Sequence, residues 1–173
     1  MSDDFSTKTC LFIGRFQPFH TGQLMVIEGM AKVCGRVVIV IGSSNEVGTR
    51  EHPFSFDERR EMIQRVLQEK NLIEVDISIV GVPDQPTDEA WIAHVRELVG
   101  PFHAVWTGKE DVKALCEAHG IQVKEVKHVP GFRGEDILQM MRDGDGFWTD
   151  KVPDDAATYI KSIEGPKRVR NLG

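Results

Sequence analysis

A three-layer α/β domain around a five-stranded parallel sheet is the fold the sequence predicts. Five short apolar runs alternate with five helical patterns along the chain. The runs are β-branched and nearly continuous in apolar character, as strands buried on both faces are. At 173 residues, the chain is long enough for one sizeable core and too short for two ordinary domains. A single domain over 1–173 is therefore expected, with 1–8 as a flexible tail.

The elements follow in order. Strands are expected at Thr9–Ile13, Arg36–Gly42, Glu74–Val80, Ala104–Thr107 and Gln122–Val126. Helices are expected over Leu24–Val33, Asp57–Glu69, Asp88–Val99, Glu110–His119 and Glu135–Arg142. Asp57 and Asp88 stand where an N-cap is wanted, and Gly100-Pro101 and Gly120 are stop signals. Asp143-Gly144-Asp145-Gly146 reads as a turn, and Val152-Pro153-Asp154-Asp155 opens a last helix over Ala156–Ile163. The basic end, Gly165 to Arg170, reads as a solvated surface segment. Strands and helices in alternation give right-handed crossovers and a Rossmann-like sheet, whose ligands bind at the carboxyl ends of the strands.

Composition narrows the function classes. A net charge of −6 argues against nucleic acid as a partner, since such binders carry a basic excess or stripe. Anions remain possible ligands if Arg15, Arg50, Arg59 and Arg60 converge locally. Cys10, Cys34 and Cys116 lie in or beside apolar stretches without zinc-ligand spacing, so they read as small buried hydrophobes in a reducing compartment. The polar, acidic N-terminus is unlike a signal peptide, and no apolar run approaches membrane-spanning length. The expected location is the cytoplasm.

The most informative stretch is Gly14-Arg15-Phe16-Gln17-Pro18-Phe19-His20-Thr21-Gly22-Gln23, between the first strand and the first helix. Strand, glycine-punctuated loop and helix together present backbone N–H groups and a helix N-terminus to a phosphate. Arg15 and His20 can meet phosphate oxygens directly. Gly14 and Gly22 admit close approach of the backbone, and a histidine in such a loop otherwise serves as a solvated or capping residue.

This run resembles the nucleotide-binding signature of the nucleotidylyltransferase superfamily, in the form typical of archaeal-type nicotinamide mononucleotide adenylyltransferases. That pattern ends in His-x-Gly-His, where this chain has His20-Thr21-Gly22-Gln23. The resemblance implies that Arg15 and His20 hold phosphates and that Gln23 orients the transferred one. Gln23 occupies the place of a histidine expected to stabilise charge there, and an amide donates without becoming cationic. Alternatively, Gln23 is an ordinary first-turn residue.

Further segments carry the same likeness. Gly42-Ser43 resembles the Gly-Ser-x segment after the second strand, and Pro53-Phe54-Ser55 with Glu58-Arg59 resembles Pro-Phe-Thr…Glu-Arg. A phosphate-binding cation is implied near there, Arg50 or Arg59, although Arg59 can instead pair with Glu58 or Asp57 on its own helix. Asp84 and Trp91 follow the third strand, and the resemblance implies that Trp91 stacks on the nicotinamide ring; the alternative is a core tryptophan beside Ile92 and Val95. Thr107-Gly108-Lys109 replaces Ser-Gly-Asn, where small residues admit the adenine. The second signature, Ser-Gly-Thr-x-(Ile/Val)-Arg, reads Arg133-Gly134-Glu135-Asp136-Ile137-Leu138 and keeps only its glycine and aliphatic position. Arg133 can restore positive charge, whereas Glu135 and Asp136 either oppose an anion or are first-turn acids favoured by the helix dipole.

The resemblance covers nearly the whole chain. It implies transfer of AMP from ATP to nicotinamide mononucleotide, giving NAD and pyrophosphate, with Gly14, Phe16, Gly22, Gly42, Ser43, Asp84, Thr107, Gly108 and Gly134 lining the nucleotide site. Mg²⁺ is expected with ATP, without a metal site built from protein side chains. A homo-oligomer is expected, and no membrane or nucleic-acid partner. Two other readings are a nucleotidylyltransferase acting on another phosphorylated small molecule and a catalytically weakened nucleotide-binding or sensing protein.

Overall fold

The computed structural model describes residues 4–72 and 76–173. The strands are β1 (Thr9–Gly14), β2 (Arg36–Ile41), β3 (Asp76–Gly81), β4 (Ala104–Thr107) and β5 (Gln122–Glu125). The helices are α1 (Thr21–Val33), α2 (Phe56–Glu69), α3 (Asp88–Val99), α4 (Glu110–Ala118), α5 (Gly134–Arg142), α6 (Asp154–Ser162) and α7 (Gly165–Leu172), with a 3-10 helix over Gly146–Lys151. Elements match the expected ones to within a few residues. Glu74 and Val75 of the expected third strand lie outside the described residues.

All five strands are parallel, in the order β3-β2-β1-β4-β5. From β1 the chain steps through β2 to β3, then returns to place β4 on the other side of β1. The order therefore reverses beside β1, and Gly14 ends that strand at the switch point where such sheets bind ligands.

The chain forms two compact units. The first holds the sheet: residues up to Gly14, Val26–Ser44 and the stretch from Asp76 to Lys127. On one face Leu11, Ile13, Val38, Val40 and Val105 pack with Ile92, Val95 and Val99 of α3 and Val112 and Cys116 of α4. Cys10, Phe12, Val37, Ile39 and Ile41, of the opposite parity, are buried as well. The central strands are thus covered on both faces, as their continuous apolar character predicts. The edge strands β3 and β5 are only half-buried or exposed, because each lacks a neighbour on one side.

The second unit comprises Arg15–Met25, Asn45–Leu72 and His128–Gly173. Buried in it are Met62, Ile63 and Val66 of α2, Ile137, Leu138 and Met141 of α5, Trp148, Ile160 of α6 and Val169 of α7. The basic C-terminal segment is therefore not a solvated tail. It is a helix with Gly165 and Val169 buried. Gly165 permits that packing, since a Cβ there would lie 2.6 Å from Cγ2 of Ile160.

Two helix caps differ from expectation. Ser55, not Asp57, caps α2, and Thr87, not Asp88, caps α3. Hydroxyls win because each accepts the N3 backbone N–H (Glu58 and Ala90), leaving the acids to meet the helix dipole from the first turn. The helix expected over Ala156–Ile163, α6, begins earlier, at Asp154.

Of the stretch expected as a tail, Met1–Asp3 lie outside the described residues. Phe5 is buried, edge-on to Trp106 at 5.5 Å, and its carbonyl accepts from the N–H groups of Lys8 and Gly35. Phe5→Ala is expected to remove about 3 kcal/mol of stability in urea unfolding, as a buried aromatic does. An unchanged midpoint contradicts the docking.

Candidate active site

The phosphate-loop candidate, Arg15–His20, is irregular backbone held in place by side chains from elsewhere in its unit. Phe16 sits at φ 55°, a left-handed conformation uncommon outside glycine, with its ring buried. Beside it, the Gln17 side chain bonds both backbone groups of one residue. Its Nε2 donates to the Phe54 carbonyl at 2.8 Å, and its Oε1 accepts from the Phe54 N–H at 3.1 Å. An amide thus stands in for a neighbouring strand, and both residues are buried. The Gln17-Pro18 peptide is cis.

Arg59 supplies a second anchor. Its Nη1 donates to the Arg15 carbonyl at 2.9 Å and its Nε to the Ser55 carbonyl at 3.1 Å. The side chain is fully buried, so it lies inside the unit and not on the surface of α2. Asp57 pairs instead with Arg60 at 2.9 Å, and Glu58 with Arg168 at 2.6 Å.

His20 and Gln23 cap α1 reciprocally. The His20 carbonyl accepts the first backbone bonds from Gln23 and Leu24. The Gln23 N–H also donates to Nδ1 of His20 at 3.3 Å, and Oε1 of Gln23 accepts from the His20 N–H at 3.2 Å. This is the geometry of a capping box with histidine in the hydroxyl's place. Gln23 is therefore not merely an exposed first-turn residue, and its Nε2 has no hydrogen-bond partner among the described residues. Gly22 lies under the imidazole, its Cβ direction 3.2 Å from the ring.

Burial, with the neighbouring His128 as a smaller cause, pushes the His20 pKa down to about 4. The ring is neutral at neutral pH, and its Nδ1 is an acceptor, so the proton resides on Nε2. That leaves a neutral N–H donor as what His20 offers a ligand.

The second signature meets this loop through its glycine. A Cβ on Gly134 would stand 2.8 Å from the Gln17 carbonyl, so only glycine lets the start of α5 approach so closely. Arg133 is exposed, with Nη1 3.7 Å from Glu135. Asp136 accepts from the Arg133 N–H at 3.3 Å, and Leu138 is core. The acids here are helix-start groups. Arg50 lies elsewhere in the unit: its carbonyl accepts from Nη2 of Arg142, the last residue of α5, and its Nη1 is 3.5 Å from the Gly173 carbonyl.

The sheet unit gathers the remaining candidates at its strand ends. Gly42 donates to the Gly14 carbonyl at 2.9 Å, tying the ends of β1 and β2. The Ser43 hydroxyl donates to Asp84 at 2.8 Å, tying β2 to the loop after β3. Trp91, in the first turn of α3, is half-buried and packs against the sheet core. Thr107 is buried, with its hydroxyl accepting from the Lys109 N–H at 3.2 Å, so its side chain shapes the turn into α4 around Gly108.

Sequence reasoning missed Gln17, Arg168 and His128. The pattern Ser55-x-x-Glu58 is itself a capping-box signature and would have placed the start of α2. Nothing local marked Arg168, whose partner Glu58 lies 110 residues away.

The folded pKa of His20 lies below the ordinary value of 6.5. Its contribution to stability is therefore complete above about pH 6.5 and is lost as pH falls through about 4. Imidazole ¹⁵N spectra should show a neutral Nε2–H tautomer at pH 7, and His20→Asn should flatten stability over that pH window. Titration near 6.5 contradicts the buried, capping ring.

Comparison with known proteins places this geometry. Residues 11–147 match the cytidylyltransferase-like family model. A nicotinamide-nucleotide adenylyltransferase of Ignicoccus hospitalis is 38% identical over 167 residues, covering 94% of this chain and 96% of that protein. The Archaeoglobus fulgidus protein of that name is 34% identical, covering 93% and 95%. Two structures of a bifunctional NMN adenylyltransferase/ADP ribose pyrophosphatase from Francisella tularensis share the fold. One superposes with a TM-score of 0.77 at 22% identity. The other, complexed with AMP and Mn ion, has a TM-score of 0.73 at 20% identity. Each covers 96% of this chain, which spans 52% of that longer protein. On this likeness over nearly its full length, the chain belongs to the nicotinamide-nucleotide adenylyltransferase family.

Proposed function

We propose that this protein transfers the AMP of ATP to nicotinamide mononucleotide, forming NAD and releasing pyrophosphate. One observation carries the reading: a side-chain-anchored loop at the end of the central strand, at the switch point, opens into a helix capped by a neutral histidine. A phosphate oxygen of the mononucleotide attacks the α-phosphorus, a new P–O bond forms, and the bond to the β-phosphate bridging oxygen breaks. Positioning and stabilisation of phosphate charge do most of such work.

Within this scheme His20 donates its Nε2–H to a phosphate oxygen, and Gln23 has an amide donor available beside it. Neither is cationic, so positive charge comes from Arg15 and Arg133, both exposed. Among the described residues no group of three or more His, Cys, Asp and Glu side chains could hold a metal ion. Mg²⁺ is proposed as a partner of the ATP phosphates, where it would neutralise charge. Ser43, Asp84, Thr107 and Gly108 are proposed to line the nucleotide-binding strand ends.

The proposed setting is the cytoplasm, supported by three buried free cysteines. No helix among the described residues is long and apolar enough to cross a membrane.

Purified protein with ATP, Mg²⁺ and nicotinamide mononucleotide should release NAD and pyrophosphate in equal amounts. Trp91→Ala should weaken nicotinamide mononucleotide by about 1–2 kcal/mol while leaving ATP nearly unchanged, as loss of a stacking contact does. NAD absent from the wild-type reaction contradicts the function, and equal loss of both ligands makes Trp91 a core residue only.

A further inference from the structure

We propose that Arg168, on the C-terminal helix, is a positioning residue for the loop that carries His20. The inference rests on the adenylyl-transfer reading and extends it to an element far along the chain from the signature motifs. The Arg168 guanidinium straps the whole turn that opens α2. Its Nη1 donates to both carboxylate oxygens of Glu58, at 2.7 and 2.6 Å, and lies 3.4 Å from the Pro53 carbonyl. Its Cζ stands 5.9 Å from the Phe54 ring centroid, and its Nη2 is 3.5 Å from the Ile163 carbonyl of its own segment.

From this turn the contacts run directly to the loop. Oε1 of Glu58 also accepts from the Ser55 N–H at 3.2 Å, so the carboxylate held by Arg168 is the one that closes the capping box. Phe54, one residue earlier, is gripped through its backbone by Gln17. Arg59, one residue later than Glu58, holds the Arg15 carbonyl. Arg168 thus fixes the 53–58 turn from outside, and the turn fixes Arg15 and Gln17, which flank Phe16 in its left-handed conformation. The pair is half-buried, with Nη1 between the two carboxylate oxygens and Nη2 turned to the Ile163 carbonyl, so one guanidinium joins the turn to its own helix, which a lysine with a single nitrogen does not reproduce in full. Lys167, next in the chain, is exposed and lies 3.9 Å from Glu164, which makes it a control.

The test compares wild type, Arg168→Leu, Arg168→Lys, Glu58→Gln, the double variant Arg168→Leu/Glu58→Gln and Lys167→Leu. NAD formation gives kcat and KM, and imidazole spectra of the unliganded proteins report the His20 tautomer and titration. Arg168→Leu should lower kcat on the order of 10- to 100-fold, the scale of a small misplacement of reacting groups. KM for ATP should change less, and His20 should move toward its ordinary titration range. Glu58→Gln should reproduce these effects, Arg168→Lys should recover part of them, and the double variant should be no worse than Arg168→Leu. Lys167→Leu should match wild type.

A role confined to stability would lower Tm while leaving kcat and the His20 signals of the folded protein in place; that result overturns the proposal, as do losses that add in the double variant. If Arg168→Leu fails to fold, Arg168→Lys and Glu58→Gln decide by the same readouts. A wild type that forms no NAD defeats the reaction itself, and the His20 spectra then still decide the positioning.

Discussion

The Gln17–Phe54 pairing is the constraint on which the loop depends. Loop backbone that turns into a left-handed conformation at a buried phenylalanine has no ladder or helix to hold it. An amide side chain with one donor and one acceptor satisfies both polar groups of the Phe54 backbone while fixing its own residue to them. Each bond contributes only about 1 kcal/mol net, yet leaving either partner buried and unpaired costs about 1–3 kcal/mol. The pairing therefore acts as a requirement: the loop sits against Phe54 or the second unit carries unsatisfied polar groups. Arg59 adds the same logic with a cation, spending a fully buried guanidinium on backbone carbonyls of the loop and of the turn that opens α2.

That scaffold sets the electrostatics of the site. His20 is enclosed and bonded through Nδ1 to the first turn of α1, so it behaves as a neutral donor with a settled tautomer. Its neighbour Gln23 is occupied at Oε1 by the cap. Both groups are neutral, so in the proposed reaction the compensation of phosphate charge falls to arginines and to a metal ion accompanying ATP. The altered second signature reads consistently with this. Its glycine persists because the start of α5 touches the Gln17 carbonyl, Asp136 caps the helix, and Leu138 has joined the core.

The sheet and the first motif were legible in the sequence because their signals are local. Five β-branched runs gave five parallel strands, and Gly14 to Gln23 gave the loop and helix start. What escaped depends on distant partners. Arg59 reads in sequence as a cation for a phosphate or for its own helix surface, and only the fold shows it bonded to the Arg15 carbonyl. The end of the chain looked solvated because it is basic, but its charged residues flank a stripe formed by Gly165 and Val169 that packs inward. Asp57 and Asp88 looked like caps because acids favour helix starts, but a hydroxyl one or two positions earlier was better placed to accept a backbone N–H. Capping was open for His20 as the alternative to a phosphate contact, and the fold adds its reciprocal partner, Gln23.

A buried amide holds the loop over residues 15–20, the proposed phosphate loop, in its geometry. Gln17→Leu keeps much of the side-chain volume and removes both bonds to Phe54. The most direct measurement is the kcat of NAD formation by this variant, taken well below its unfolding midpoint. The account predicts a fall of about 100-fold in the folded protein, the scale of displaced reacting groups, together with a stability loss of about 2–4 kcal/mol from the unpaired Phe54 backbone. A folded Gln17→Leu protein turning over at the wild-type rate would contradict it.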